Sequence, residues 1–120
     1  MDQIIKINII FNNKTYLIEL NHNTNYNEFV FKVVSKITGY KNENENKEVI
    51  NEYLLNKFNE NFYCTWVSKC INNKNWENLK EGLHNGDSIF VNLKMKGGFL
   101  TTAIVILALF AILSPILKPV

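Results

Sequence analysis

The feature that most constrains this chain is an uninterrupted apolar stretch near its C-terminal end. Residues 97–117 read GGFLTTAIVILALFAILSPIL and contain no charged side chain. A hydrocarbon core about 30 Å thick is crossed by roughly 17 to 25 apolar residues in a helix, so this stretch is long enough to cross one. Twelve of residues 99–117 are Leu, Ile, Val or Phe. At about −0.3 to −0.6 kcal/mol for each central residue, their transfer into lipid is favourable.

This pattern predicts a single transmembrane helix over residues 99–117, preceded by a separate head over residues 1–96. Gly97 and Gly98 are interpreted as a flexible joint, because glycine has no side chain to restrict the backbone. Residues 118–120 form a short tail. The side chains expected to contact lipid are Phe99, Leu100, Ile104, Val105, Ile106, Leu107, Leu109, Phe110, Ile112, Leu113, Pro115, Ile116 and Leu117.

Three lysines flank the predicted span, namely Lys94, Lys96 and Lys118. Lys94 and Lys96 on the head side agree with the positive-inside rule, so we expect a single-pass, tail-anchored protein with its head in the cytosol. The first residues lack the basic and apolar regions of a secretory signal, which agrees with that location. Pro115 has no N–H to donate, so we expect the helix to kink or end there.

The head has room for one small domain, and its charge pattern argues against nucleic acid as a partner. The net charge is +2, all basic residues are Lys, and the lysines are spread singly among glutamates. A nucleic-acid-binding surface instead clusters Lys and Arg on one face. The absence of Arg, together with abundant Asn, Lys and Ile, is typical of proteins from A+T-rich genomes.

The first twenty residues predict a β-hairpin. Residues 4–11 alternate between isoleucine and mostly polar side chains, which is the period of a half-buried strand. Residues 15–20 alternate again, and the Asn-rich residues 12–14 between the two runs tolerate a left-handed backbone.

The next segment predicts the main helix of the head. Asn25 precedes Glu28 by three residues, the spacing at which a cap side chain and an N3 carboxylate satisfy each other's backbone amides. Apolar side chains recur at helical spacing from Tyr26 to Ile37 and form one stripe. Gly39 stands where a left-handed residue would end the helix.

The remainder of the head reads as a connector followed by short strands. Residues 40–48 are too polar to bury and predict a solvated loop. Helical spacing predicts a second helix over residues 47–58, interpreted as a cover over an exposed edge of the core, with a partner-binding helix as the alternative. The patterns that follow predict a strand at 62–68 with bulky side chains on both faces, which is therefore more than half covered. They also predict a short strand at 70–71, a turn at 72–75, a one-turn helix from Trp76, a turn at 84–87 and a strand at 89–95.

This order of elements resembles the ubiquitin-like β-grasp fold, and the basic final strand running into Gly97 and Gly98 is the most specific part of the resemblance. It implies an α+β head with a mixed sheet of four to five strands on one main helix, and the second helix as an insertion. Positions matching ubiquitin's apolar recognition patch are Thr65 and Asn92, both polar. The resemblance also implies that conjugation of the glycine pair would require cleavage after Gly98.

A second resemblance is to the tail-assembly proteins of lambda-like phages, which join a ubiquitin-fold head to glycines and a hydrophobic segment. Gly86 and Asp87 before the last strand, and Gly97 and Gly98 after it, match that outline. This resemblance implies a virus or phage structural or assembly component. Its hydrophobic tail would be buried in a virion membrane or along the axis of a tail or capsid assembly.

The sequence offers no arrangement of nucleophile, base and orienting group at motif spacing, so we expect no enzyme, cofactor, metal or small-molecule substrate. Cys64 and Cys70 are interpreted as small buried hydrophobic residues, with a disulfide as the alternative. A thiol and base pair with His84 is the weaker possibility.

These observations predict a non-catalytic, single-span interaction or scaffold protein that presents a ubiquitin-like head on the cytosolic side of a membrane. Its expected partners are membrane lipid and one or more proteins, in a symmetric assembly if the phage resemblance applies. The apolar length of residues 99–117 does not separate a lipid span from a helix buried in protein.

Overall fold

The computed structural model describes residues 3–39 and 47–94 of the 120-residue chain. They form an α+β fold in which a five-stranded mixed sheet carries its helices on one face. The strands are β1 (Ile5–Phe11), β2 (Lys14–Leu20), β3 (Phe62–Trp66), β4 (Lys69–Ile71) and β5 (Ser88–Leu93), in the order β2-β1-β5-β3-β4. The helices are α1 (Tyr26–Thr38), α2 (Lys47–Asn61) and α3 (Trp76–Lys80).

The predicted hairpin forms from β1 and β2, which pair antiparallel with Ile7 opposite Ile18. Asn12 and Asn13 make the two-residue turn with φ of 53° and 64°. Asparagine tolerates this left-handed backbone, and such turns match the right-handed twist of the strands. The alternating side chains therefore place one apolar face of the hairpin in the core.

Helix α1 is built as its sequence predicts. Asn25 Oδ1 accepts a hydrogen bond from Glu28 N at 2.8 Å, and Glu28 Oε1 accepts one from Asn25 N at 3.5 Å, which completes a capping box. Gly39 ends the helix with φ of 78° and donates its N–H to Ser35 O. The apolar stripe packs on the sheet through Phe29, Val30, Val33 and other buried residues.

Helix α2 runs three residues beyond the predicted end, to Asn61. Leu54 and Phe58 are buried in the same core as α1, and Phe58 stacks on Phe62 with ring centroids 5.3 Å apart. This packing agrees with the interpretation of α2 as a cover over the core edge. Residues 40–46 of the predicted loop lie outside the described residues.

The predicted strand 62–68 is wrong at its end. The strand stops at Trp66 because Val67 and Ser68 form a two-residue turn with φ of 50° and 63°, after which β4 pairs back on β3. The expectation that this strand is more than half covered agrees with the structure, because Phe62 and Cys64 are buried and Thr65 and Trp66 are partly buried, whereas Tyr63 is exposed.

Strand β5 is the centre of the sheet. It pairs parallel with β1, where Ile9 lies opposite Ile89, and antiparallel with β3, where Cys64 lies opposite Val91. The turn before β5 is fixed to β1, because Gly86 N donates to Lys6 O at 2.9 Å and Asn85 Oδ1 accepts from Lys6 N at 2.8 Å. The last strand of the head thereby joins its two hairpins into one sheet.

Helix α3 closes the end of the core beneath α1. Trp76 is buried, its ring stacks on Phe29 at 4.7 Å between centroids, and its indole N–H donates to Thr24 O at 2.7 Å. Lys80 is also buried, and its Nζ donates to His22 O at 2.6 Å and Thr24 O at 3.1 Å. These bonds clamp the loop between β2 and α1 onto α3, which fixes the start of the main helix.

No helix within residues 3–39 and 47–94 is long and apolar enough to cross a membrane. The predicted transmembrane helix lies outside the described residues, as do Lys96, Gly97, Gly98 and Lys118. The predicted span, its glycine joint and the kink at Pro115 therefore stay predictions.

Candidate interaction surface

One face of the sheet is left uncovered by the helices that the structure describes. Strand alternation places the side chains of Ile7, Ile9, Ile89 and Val91 in the core and those of their neighbours on the opposite face. We call this opposite side the outer face. It is the candidate functional surface, because it carries large apolar side chains that are exposed and do not pack in the core.

The centre of the outer face is a row of paired residues that crosses all five strands. Phe90 lies opposite Ile10 on one side and Thr65 on the other, and the row continues to Thr15 and Cys70 at the two ends. Phe90 is 47% exposed although it belongs to the central strand. An aromatic ring this exposed therefore offers a large apolar contact area at the centre of the outer face.

Two further exposed apolar side chains extend this surface. Leu17 on β2 is 46% exposed and Tyr63 on β3 is 37% exposed. Tyr63 lies opposite Asn92, which is two residues beyond Phe90 on β5 and therefore on the same face. Leu17 lies opposite Asn8. The outer face therefore carries two exposed aromatic side chains, a residue type that is enriched in protein interfaces, beside one leucine and several amides.

The two positions that match ubiquitin's recognition patch, Thr65 and Asn92, contact each other on this face. Asn92 Nδ2 donates to Thr65 Oγ1 at 3.4 Å, and both side chains are half-buried. Phe90 lies directly opposite Thr65 and on the same strand and face as Asn92, and it supplies the apolar area that these two residues lack. Sequence reasoning missed Phe90, although its phase opposite to Ile89 and Val91 was a usable signal.

Lys94, a predicted membrane-flanking lysine, lies where the chain leaves the described part of the head. Its N–H donates to Asn61 O at 2.8 Å, and its ammonium donates to Asn59 O. Both carbonyls belong to the last turn of α2, where a cation also interacts favourably with the helix dipole. The contact ties the end of β5 to α2.

The two cysteines occupy different environments, so the prediction that both are buried is wrong for Cys70. Cys64 is buried opposite Ile71, and Cys70 is exposed opposite Thr65. Successive pairs of a ladder face opposite sides of a sheet, so the two thiols point away from each other and both are free. Burial, with a smaller contribution from Cys70, raises the pKa of the Cys64 thiol to about 12.

Other titratable groups are held in structural contacts. Tyr26 Oη donates to Asn59 Oδ1 at 2.7 Å, and burial, with smaller contributions from Cys64 and Cys70, raises its pKa to about 12. His84 Nδ1 lies 3.9 Å from Asp87 Oδ2 in the turn before β5. Within the described ranges, no three His, Cys, Asp or Glu side chains are grouped closely enough to hold a metal ion.

Comparison with models of protein families finds no match, and comparison with curated proteins finds none. Among solved structures, the chain is similar to a computationally designed protein based on the template of human erythrocytic ubiquitin. The TM-score is 0.50 with 19% identity, over 83% of this chain and 100% of that one. A second structure, an N-terminal ubiquitin-like domain solved in solution, gives a TM-score of 0.48 with 14% identity, over 84% of this chain and 85% of that one. The first likeness shows that the fold is ubiquitin-like.

Proposed function

We propose that this chain is a non-catalytic interaction module that binds protein partners through the outer face and is held on the cytosolic side of a membrane by residues 99–117. The observation that carries the binding role is Phe90, which is exposed on the central strand of a sheet face that the described helices leave open. Leu17 and Tyr63 enlarge the apolar area around it. Residues of this kind sit at the centre of protein interfaces, where burial of aromatic area contributes most of the affinity.

The place where the chain leaves the head supports the membrane role. Strand β5 ends at Leu93, and the apolar stretch begins six residues later at Phe99. Because β1 runs parallel to β5, the turn at Asn12 and Asn13 lies at this same end of the sheet. A membrane span over residues 99–117 would thus tether the head through the end of the sheet that carries this polar turn.

Alkaline carbonate extraction of cells that express the full chain tests the anchor. We expect the protein in the membrane pellet, because removal of peripheral contacts does not release a lipid-spanning helix. The matched control replaces Val105 and Leu109 by lysine. Each lysine opposes insertion by about 2.5 to 3.5 kcal/mol, so this variant should move to the supernatant.

Release of the unsubstituted protein would contradict the anchor. Sedimentation only with a lipid-free particle would mean that protein neighbours bury residues 99–117, and a virion or tail assembly component would replace the anchored module. Intact mass measured on the same sample separates a third case, because a chain ending at Gly98 would indicate a processed ubiquitin-like modifier.

Site-specific photocrosslinking tests the outer face. A benzoylphenylalanine at position 90 in the membrane-anchored chain should give a discrete adduct that disappears when Leu17 and Tyr63 are replaced by aspartate. The control carries the same probe at Asn27, which is exposed on α1. Equal adducts from positions 90 and 27, or an adduct insensitive to the aspartates, would remove the outer face as the binding surface.

A further inference from the structure

A pocket lies beside the point where the chain leaves the described part of the head. It is formed between the last turns of α2, the start of β3 and the turn that follows β4, and its volume is about 440 Å³. Small-ligand sites commonly have volumes of about 300 to 1,000 Å³. We call it the exit pocket, and its lining includes Tyr26, Asn59, Phe62, Tyr63, Lys74 and Lys94.

The shortness of β4 gives the exit pocket its aromatic wall. Strand β4 pairs with β3 at residues 64–66, so Phe62 and Tyr63 lie beyond its end. Phe62 is buried in the core, whereas Tyr63 is 37% exposed and keeps part of its ring open to a ligand. The pocket therefore offers apolar area next to its polar groups, as small-ligand sites do.

Three side chains that line the exit pocket have N–H groups that no described residue accepts. Asn59 Oδ1 accepts from Tyr26 Oη at 2.7 Å, which orients the amide and leaves its Nδ2 to donate elsewhere. Lys94 uses one of its three N–H donors on Asn59 O, so its ammonium is held at the pocket with two donors remaining. Lys74 is exposed, and its ammonium forms no hydrogen bond with another described residue.

The charge around these donors is positive. Lys74 and Lys94 are the charged side chains among the described residues that line the pocket, and none of those residues is acidic. The acidic residues closest in sequence are Glu60 and Glu77, and each forms an ion pair with another lysine of its own helix, at 3.5 and 2.8 Å. An anion in the pocket would therefore meet two cations and an amide donor, which suits the several acceptor oxygens of a phosphate group.

The position of the pocket indicates where such a phosphate comes from. Lys94 lines the pocket, and the apolar stretch begins five residues later at Phe99. An extended chain spans at most about 3.6 Å per residue, so Phe99 lies within about 18 Å of Lys94. This step rests on the membrane span of the proposed function, which brings the pocket within reach of the lipid headgroups.

We propose that the exit pocket binds the phosphate group of an anionic phospholipid headgroup. Its oxygens accept hydrogen bonds from the ammonium groups of Lys74 and Lys94 and from Asn59 Nδ2, and the carbons of the headgroup pack on the ring of Tyr63. A choline headgroup would bring a third cation beside the two lysines, and like charges at close range repel. Basic pockets near the membrane surface are one means of recognising anionic headgroups.

Amide chemical shifts of the isotope-labelled full chain in nonionic detergent micelles test the pocket. The lipid probe is phosphatidylglycerol added to the micelles, and the control is phosphatidylcholine with the same acyl chains. We expect shifts centred on Phe62, Tyr63, Lys74 and Lys94 with phosphatidylglycerol, and weaker binding at higher salt. Phosphatidylcholine should leave these amides unshifted.

Glycerol phosphate is the soluble probe, and it separates the pocket from the anchor. It should shift the same amides in the unsubstituted chain and in the variant with lysine at Val105 and Leu109, at higher concentrations than the lipid requires. Failure of the anchor in carbonate extraction would leave this result intact, whereas failure of the pocket would abolish it. Binding of glycerol phosphate without binding of phosphatidylglycerol would overturn the assignment to a lipid.

Paired charge variants locate the binding. Lys74→Gln combined with Lys94→Gln should weaken phosphatidylglycerol binding by about tenfold or more, because two charge-assisted hydrogen bonds are lost. Lys32→Gln combined with Lys36→Gln removes the same charge from α1, outside the exit pocket, and should leave binding unchanged. Since Lys94 also contacts α2, Lys74→Gln alone keeps the test valid if the first pair unfolds the head; it breaks no hydrogen bond to a described residue.

Four outcomes overturn the proposal. They are shifts spread evenly over the lysines of the head, equal weakening by the two pairs of variants, equal binding of the two lipids, and no binding of phosphatidylglycerol. The first two would assign the effect to net charge, and the third would assign it to the acyl chains. Circular dichroism of each variant reports whether lost binding comes from unfolding.

Discussion

Val67 adopts a backbone conformation that a β-branched side chain rarely takes. Its φ is 50°, close to that of Asn12 at 53° in the other two-residue turn, yet Val67 is 71% exposed and no core contact holds it there. A β-branched residue at positive φ is strained by about 1 to 3 kcal/mol, whereas asparagine is tolerated. The two turns thus share one backbone conformation, which is tolerated at Asn12 and strained at Val67.

Val67→Asn should stabilise the head by about 1 kcal/mol, since it relieves the strain without removing a buried contact. Urea unfolding of the full chain in nonionic detergent, followed by Trp fluorescence, measures the change. Asn12→Val is the reciprocal control and should destabilise by a similar amount. Unchanged midpoints for both variants would show that neither turn is strained by its side chain.

Lys80 is a buried cation with a structural role. It is 8% exposed, and besides the carbonyls of His22 and Thr24 its Nζ lies 2.8 Å from the carboxylate of Glu77. Lys80→Met keeps the apolar stem but leaves both carbonyls without this donor, so we expect a loss of about 2 to 4 kcal/mol. The same unfolding assay measures it.

Glu77→Gln is the matched control for Lys80, because the Glu77 side chain is 72% exposed and glutamine keeps an oxygen that can accept a hydrogen bond from Lys80 Nζ. This variant should lose less than about 1 kcal/mol. An equally large loss in both variants would assign the effect to the ion pair and not to the two loop carbonyls.

Among the elements, α1 depends most on local signals. Asn25→Ala removes the 2.8 Å bond to Glu28 N and should destabilise the head by about 1 kcal/mol, as loss of a helix cap commonly does. Helicity by circular dichroism and the urea midpoint check this result. The control is Asn27→Ala, an exposed helical position where alanine is the better helix former, and it should not destabilise. Similar losses at both positions would contradict the capping role.

Local patterns explain which elements could be predicted from the sequence. Helix α1 with its Asn25 cap and Gly39 end, the first hairpin and the alternation of β5 all rest on neighbouring residues, and the structure has them as predicted. The turn at Val67 and Ser68 could not be found this way, because neither residue favours a left-handed backbone. There the pairing of β3 with β4 overrides local preference.

The candidate surfaces were harder to predict than the elements that form them. Whether Phe90 is exposed depends on which face of the sheet the helices cover. Whether β2 is an edge strand depends on β5 pairing with β1, two strands at opposite ends of the head's sequence. Both are non-local properties of the strand order. The expectations for residues 97–118 rest on apolar length and flanking charge alone, so their test is the extraction experiment.

For the whole molecule, the buried thiol of Cys64 makes stability depend on alkaline pH. Its pKa rises from 9.0 to about 12 on folding, so between these values the unfolded chain ionises while the folded head stays protonated. The unfolded state then binds fewer protons, and the free energy of unfolding falls by about 1.4 kcal/mol per pH unit for this group. Below pH 9 the thiol is protonated in both states and adds no pH dependence. Tyr26 acts in the same direction above its ordinary value of 10.0.

Unfolding free energies of the full chain at pH 8.0, 9.5 and 10.5, compared with those of Cys64→Val, test this dependence. Valine suits a buried strand position and cannot ionise. The variant should therefore lose less stability over this range than the unsubstituted chain. Parallel pH profiles for the two proteins would contradict the role of the thiol, whatever the difference in their absolute stability.

The central position of β5 also determines when the head can fold during synthesis. Among the described strands, β5 is the one that pairs with both β1 and β3, so without it the hairpin of β1 and β2 is not paired with the hairpin of β3 and β4. The head therefore acquires its sheet only once residue 93 has left the ribosome, and non-local pairing of this kind is slow. The apolar residues from 99 onward follow almost at once. The chain therefore still exposes unpaired strand edges while its apolar segment is being completed, and exposed edges and apolar surface of this kind favour aggregation.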